Sequence, residues 1–509
     1  FAFWQTDITS LTIPDSVTTI GRQAFGDTPL KTLVIGNGLS DQSRVGIDAF
    51  LNVCQTLESV AIDSPDALGR ANSGYDYYSF NRRDGSQVYV IGYAGLHFGR
   101  FYDDTTGNYR VAYQCPKLET ITLGDNVVTV GDYAFDARED FSSLTSVTLG
   151  AGVTEIGTNA FAGASNLVSL TIPDSVARIR SGAFQGATRL TSLTLGAGLL
   201  EIASSAFSGA TSLTSVTLPD SLTTIGRNAF SGATSLASVT LPDSLTTIGG
   251  YAFSGATSLV SVTLPDSVTS IADYAFQDTG LTSITIPDAV GSIGNYAFQG
   301  AALTSLTLGS GVTTIGDFAF WQTDITSLTI PDSVTTIGRQ AFGDTPLKTL
   351  VIGNGLSDQS RVGIDAFLNV CQTLESVAID SPDALGRANS GYDYYSFNRR
   401  DGSQVYVIGY AGLHFGRFYD DTTGNYRVAY QCPKLETITL GDNVVTVGDY
   451  AFDAREDFSS LTSVTLGAGV TDIGQSAFAG ASNLVSLTIP DSVARIGSSA
   501  FQGATRLTS

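Results

Sequence analysis

Apolar positions recur along this chain with a period of about 23 residues. Residues 213–235 read LTSVTLPDSLTTIGRNAFSGATS, residues 236–258 read LASVTLPDSLTTIGGYAFSGATS, and the unit from Leu259 follows the same plan. With the leading Leu as position 1, the unit is L-x-S-V-T-L-P-D-S-[VL]-x-x-I-G-x-x-A-F-x-G-A-x-x. Positions 3 to 6 alternate polar and apolar, which is the period of a strand with one buried face. Positions 4 and 6 therefore point inward and positions 3 and 5 outward. Pro at position 7 ends the strand, since it has no N–H for the ladder. Asp at position 8 suits the turn, where its carboxylate accepts from the backbone N–H groups that follow. Positions 10 and 13 predict a second short inward stretch. Gly at 14 and Ala-Phe at 17 and 18 predict a helical turn returning the chain, with Phe in the middle of the coil. One unit has too little apolar surface to fold alone, and stacked neighbours bury it in one continuous core.

Units start at Ile8, Leu30, Leu57, Leu118, Leu144, Leu167, Leu190, Leu213, Leu236, Leu259, Leu281 and Leu303, and the order begins again at Ile325. Residues 1–192 recur as 318–509, an offset of 317, with five differences: Glu155/Asp472, Thr158/Gln475, Asn159/Ser476, Arg180/Gly497 and Gly182/Ser499. A copy this close indicates recent duplication, so identity between the blocks is no sign of function.

The unit, with its Ala-Phe pair and a small residue three before the next Leu, resembles the leucine-rich repeats of the BspA-like type. The resemblance covers nearly the whole chain in eighteen complete units. It implies a repeat solenoid, curved or superhelical, mostly β with short helical or 3-10 turns and a parallel β-sheet on the concave face. It also implies a bacterial or protist surface protein, often an adhesin. Fold analogy alone does not fix function.

The unit starting at Leu57 is 61 residues long and departs from the pattern. The expected organisation is repeats over 1–63, an insert over 64–114, repeats over 115–380, the insert's copy over 381–431, and repeats over 432–509. Eight Tyr fall in the first insert: Tyr75, Tyr77, Tyr78, Tyr89, Tyr93, Tyr102, Tyr109 and Tyr113. His97 and Arg100 lie among them. The copy carries Tyr392, Tyr394, Tyr395, Tyr406, Tyr410, His414, Arg417, Tyr419 and Tyr426. Gln87–Tyr93 and Tyr109–Gln114 read as strands, and residues 103–108, DDTTGN, as a turn. Insertions in repeat proteins map to loops, often on a binding face, and Tyr and Arg dominate binding hot spots. The bland alternative is that these aromatics pack the insert's own small core.

Cys54 and Cys115 each sit three residues before a unit-leading Leu, in adjacent coils once the insert is looped out. Stacked strands lie about 4.8 Å apart, within reach of a disulfide. A pair of buried thiols in a small-residue column fits equally. The same alternatives hold for Cys371 and Cys432.

The Asp column at position 8 includes Asp15, Asp174, Asp220, Asp243, Asp266, Asp288, Asp332 and Asp491. With one carboxylate per coil and no second acidic column expected, it reads as turn capping rather than a calcium ladder. Outward positions 3 and 5 are nearly all Ser and Thr, as in Ser215 and Thr217 or Ser238 and Thr240. They predict a flat, uncharged hydroxyl face, ordinary for a solvated sheet and available for adhesion or lattice packing.

Composition narrows the function classes. Lys plus Arg is 26 against 48 Asp plus Glu, a net charge of −22, and only 15% of residues are charged. An average soluble domain has about 25%. No basic stripe for nucleic acid exists, so none is expected as a partner. No run of 18 apolar residues exists, so no membrane insertion is expected within this segment. Each insert balances five Arg with five Asp, so the excess negative charge belongs to the repeats. One His per block leaves no metal-ligand cluster and no repeating nucleophile–base pair. No cofactor, no phosphate-binding GxxxxGK[ST] loop and no N-x-[ST] sequon is found.

Both ends fall inside a unit and neither carries a polar cap, so a segment of a longer array is expected. The reading is a non-enzymatic extracellular or cell-surface protein, structural or adhesive, a solenoid rod or filament with Tyr-rich knobs as contact points. Its partners would be itself, in a filament or lattice, or other surface proteins or glycans. The alternative is a recognition module that binds a protein or glycan through the concave face or the insert.

Overall fold

The computed structural model describes residues 2–21, 24–39, 49–50, 53–63, 76–81, 87–92, 100–103, 108–111, 117–136, 138, 143–356, 363, 366–367, 370–380, 393–398, 404–409, 417–420, 425–428, 434–449, 451–452 and 460–508. They form two compact units, Phe1–Val262 and Thr263–Ser509. Within each, parallel strands stack coil on coil as a β-solenoid.

Among the described residues most coils contribute a strand within positions 3 to 6, and many add a two-residue strand at positions 12 and 13. In the first unit, Ser10–Ile13, Thr32–Ile35, Ser59–Ile62, Thr120–Leu123 and Ser146–Thr148 form one parallel sheet. A second sheet runs through six two-residue strands, from Thr129–Val130 to Thr247–Ile248. In the second unit, a six-stranded parallel sheet runs from Ser327–Ile330 to Ser486–Leu487. The expected alternation holds: in Ser215–Thr217 the hydroxyl residues are exposed and Val216 is buried.

Register is set by identical positions meeting across coils. Ser215 lies opposite Ser238, Val216 opposite Val239 and Thr217 opposite Thr240. Period-2 patterning makes this strict, since a slip of one residue would turn every buried side chain to solvent. The long coil keeps the rule: Ser59 pairs with Thr120 and Val60 with Ile121.

Phe at position 18 forms the spine. Phe135, Phe161, Phe184, Phe207, Phe230 and Phe253 stack ring on ring at centroid distances of 5.2, 5.2, 5.5, 5.5 and 5.6 Å. In the second unit Phe276, Phe298, Phe320, Phe342 and Phe367 do the same. Each buried Phe contributes roughly 1.5–3 kcal/mol by area, and each stacked pair about 0.5–1.5 kcal/mol more. Small residues at position 21 sit beside them, and Thr is admitted where it can satisfy itself. Buried Thr279 and Thr345 donate their hydroxyls to the carbonyls of Phe276 and Phe342, three residues back.

The returning segment differs from the predicted helical turn. Its N–H groups alternate between two directions. Asn228, Phe230 and Gly232 donate to Gly250, Ala252 and Ser254 of the next coil, while Ala229 and Ser231 donate within their own turn. Left-handed φ at Asn228 (56°) and Gly232 (73°) swings these N–H groups outward. A continuous helix would need right-handed φ throughout and would leave the coils unbonded to each other. Short 3-10 helices occur at Val53–Gln55 and Val370–Gln372. Among the described residues no helix is long and apolar enough to cross a membrane.

Candidate functional site

Within the inserts, Asp76–Asn81 pairs antiparallel with Gln87–Gly92, and Arg100–Asp103 with Asn108–Val111. The copies do the same at Asp393–Asn398 with Gln404–Gly409 and Arg417–Asp420 with Asn425–Val428. These hairpins bring predicted contact residues opposite one another: Ser79 faces Tyr89, Tyr78 faces Val90, and Tyr102 faces Tyr109. Tyr419 faces Tyr426, Ser396 faces Tyr406, Tyr395 faces Val407 and Arg417 faces Val428. Tyr77 and Tyr394 take the registers opposite Ile91 and Ile408. Tyr75, Tyr93, His97, Tyr392, Tyr410 and His414 lie outside the described residues, as do Cys115 and Cys432. Cys54 and Cys371 fall in the two 3-10 helices, but their side chains too lie outside what is described, and with them both pairings.

The position-8 carboxylates reach further than their own turn. Asp174 Oδ1 accepts from the backbone N–H of Ala197 at 2.7 Å, at the same position one coil later. Asp288 accepts from both Ser310 N–H (2.7 Å) and Ser310 Oγ (3.0 Å). Asp332 and Asp15 take Asn354 and Asn37 N–H at 2.9 and 3.0 Å. In each of these pairs the receiving coil reads Gly-x-Gly where other coils read Pro-Asp-Ser. Gly lets the two turns close on each other. A Cβ on Gly311 would collide with the carbonyl oxygen of Asp288. Two donors lower the pKa of Asp288, the backbone N–H of Ser310 most of all.

Some coils carry a second capping side chain at position 15. Asp273 Oδ1 accepts from Asn295 N–H (2.7 Å), Asn295 Oδ1 from Asp317 N–H (2.8 Å), and Asp317 Oδ1 from Arg339 N–H (2.7 Å). Asp132 and Asp449 do likewise with Thr158 and Gln475. These oxygens cap the next coil's amides, and among the described residues no group of three or more His, Cys, Asp or Glu side chains is arranged to hold a metal ion.

Next to these caps, position 16 holds a half-buried aromatic row that sequence reading missed. Tyr274, Tyr296 and Phe318 stack at 4.7 and 4.8 Å, and the Arg339 guanidinium lies 5.7 Å from the Phe318 ring centre. All three aromatics have left-handed φ, of 61°, 57° and 57°. The signal was present: four consecutive units carry Tyr251, Tyr274, Tyr296 and Phe318 at a position that elsewhere holds Asn159, Gly182, Ser205 and Asn228.

The chain matches the family model described as BspA type Leucine rich repeat region over residues 1–73, 107–236, 223–348, 269–385 and 423–509. A leucine-rich repeat protein from Bacteroides ovatus is similar at 28% identity, with 70% of this chain and 81% of that one covered and a TM-score of 0.47. A leucine rich cell surface protein from Faecalibacterium prausnitzii is similar at 22% identity over 88% of this chain and 94% of its own, with a TM-score of 0.34. The pneumococcal vaccine antigen PcpA shares 17% identity over 68% and 78%, with a TM-score of 0.33. Among curated proteins no sequence matches significantly. Matched residues make up well over half of the chain, and the chain belongs to the BspA-type leucine-rich repeat family.

Proposed function

We propose that the chain is a non-enzymatic cell-surface scaffold, structural or adhesive, in which the Tyr-rich inserts are the contact points. The family is one of repeat scaffolds suited to interaction. The observation that carries the reading is the register at the base of the insert. Ser59–Ile62 pairs in step with Thr120–Leu123, so the coil-to-coil ladder runs directly across the segment, and its described strands pair with one another as separate hairpins. A 51-residue segment (64 to 114 inclusive) that the pairing of the flanking strands bypasses, neutral on an acidic array and rich in Tyr and Arg, is suited to contact with another surface. Its hairpins align Tyr102 with Tyr109 across the strands. The partner is a second copy of the chain, in a filament or lattice, or another surface protein or glycan. An acidic surface with four Lys in the whole chain suits exposure outside a cell and repels other copies except at the neutral inserts.

The other reading is a recognition module that binds through the sheet face. It rests on the exposed Ser and Thr rows, such as Ser215, Thr217, Ser238 and Thr240. Electron microscopy of native material separates the two. Fibres with a repeat of one 317-residue block support the scaffold, and discrete monomers contradict it.

A further inference from the structure

Between Leu259 and Leu347, three rows of side chains share one edge of the stack. Position 16 gives Tyr274, Tyr296 and Phe318, all partly exposed. Position 15 gives Asp273, Asn295 and Asp317, all exposed, and position 19 gives Gln277, Gln299 and Trp321, all partly exposed. The Trp321 indole meets Phe318 edge-on, at 5.6 Å and 76°, and its Nε1 donates to Asp344 Oδ2 at 3.0 Å. The ring is therefore held at its edge and at its nitrogen. In the following coil position 19 is Gly343, where a Cβ would stand 3.1 Å from Trp321 Cδ1. Its φ is not left-handed, so the missing side chain answers to the space beside the indole and not to the backbone. Beside it, Gln277 Nε2 donates to Gln299 Oε1 at 3.1 Å, which orders the two amides.

The geometry points to a glycan site on this edge, with the Trp321 indole as the platform for one sugar ring and the Gln299, Asn295 and Asp317 side chains as partners for hydroxyls. Pyranose C–H faces stack on aromatic rings, and amides and carboxylates together accept from and donate to neighbouring hydroxyls. Coils are spaced about 4.8 Å apart, close to the length of one pyranose, so an oligosaccharide along the edge meets one set of rows per sugar. Charge selects the kind of glycan. Asp273, Asp278, Asp317, Asp324 and Asp344 stand against Arg339, so acidic sugars are repelled and a neutral oligosaccharide is favoured. This site is separate from the inserts and stands or falls independently of the scaffold reading.

The test uses the full chain with Trp4→Phe, which leaves Trp321 as the one indole, since the chain has two Trp. Cellohexaose, mannohexaose and chitohexaose are titrated, with polygalacturonate as the acidic control. A saturable change in Trp321 fluorescence with at least one neutral hexaose, and none with polygalacturonate, is expected. By calorimetry, Trp321→Ala and Gln299→Ala each weaken that binding at least tenfold, with circular dichroism and melting unchanged in at least one of them. The assignment is overturned by silence towards all three hexaoses, by a preference for polygalacturonate, or by undiminished binding in the folded variant.

Discussion

Asp317 Oδ1 accepts the backbone N–H of Arg339 at 2.7 Å, 22 residues further along the chain, and so fastens one coil to the next. Exposed carboxylates that would read as solvated charge serve here as caps between coils. Asp317→Ala removes an acceptor and leaves an amide to water. A loss of about 1 kcal/mol is expected, and Asp317→Asn, like the native Asn295, recovers most of it. Denaturant midpoints of the two variants check this.

The caps also set acid sensitivity. The Ser310 N–H and hydroxyl hold the Asp288 pKa below its ordinary value. A group whose pKa is depressed by folding contributes stability above its unfolded pKa and loses it as pH falls through the folded one. Asp288→Asn should therefore flatten the fall in melting temperature below about pH 4. Partial burial raises the pKa of Asp278, so its ionised form is disfavoured in the fold. The sign reverses, and Asp278→Asn should melt higher than the parent at neutral pH while matching it in acid. Parallel melting curves across pH 3–7 read both.

Phe230 is fully buried between the rings of Phe207 and Phe253. Phe230→Ala opens a cavity in the spine, and a loss of about 3–5 kcal/mol is expected. In a repeat array each coil touches only its neighbours, so hydrogen exchange should show lost protection concentrated in the coils next to residue 230.

Ser205 holds φ at 58°, and the same position one coil earlier is Gly182, at 66°. Left-handed backbone costs a residue with a Cβ roughly 1–2 kcal/mol, less the entropy a glycine gives up on folding. Ser205→Gly should raise stability by up to about 1 kcal/mol, while Ser205→Ile lowers it. Equilibrium unfolding of the pair checks the direction.

The strands, the Phe spine and the small column were legible because their signals repeat. Val216 and Leu218 alternate with Ser215 and Thr217, and Phe230 has a counterpart in every regular coil. The turn conformation was not legible. Ala229 and Phe230 look like part of a helix, yet Asn228 and Gly232 are left-handed and send alternate N–H groups to the next coil. The position-15 caps and the aromatic row were missed for a related reason. Positions 15 and 16 vary from coil to coil, so Asp317 and Phe318 read as unremarkable variation until Arg339 and Tyr296 are found beside them.

The proposed scaffold associates with other copies and with surface partners through the inserts rather than through the stack. Sedimentation velocity of the full chain, compared with a chain in which residues 64–114 and 381–431 are replaced by the turn of a regular coil, tests it directly. Concentration-dependent association is expected for the full chain, with loss of association on replacement and an unchanged β signature in circular dichroism. Equal association by both chains, or a full chain that stays monomeric and captures no surface protein or glycan through its inserts, would contradict the account.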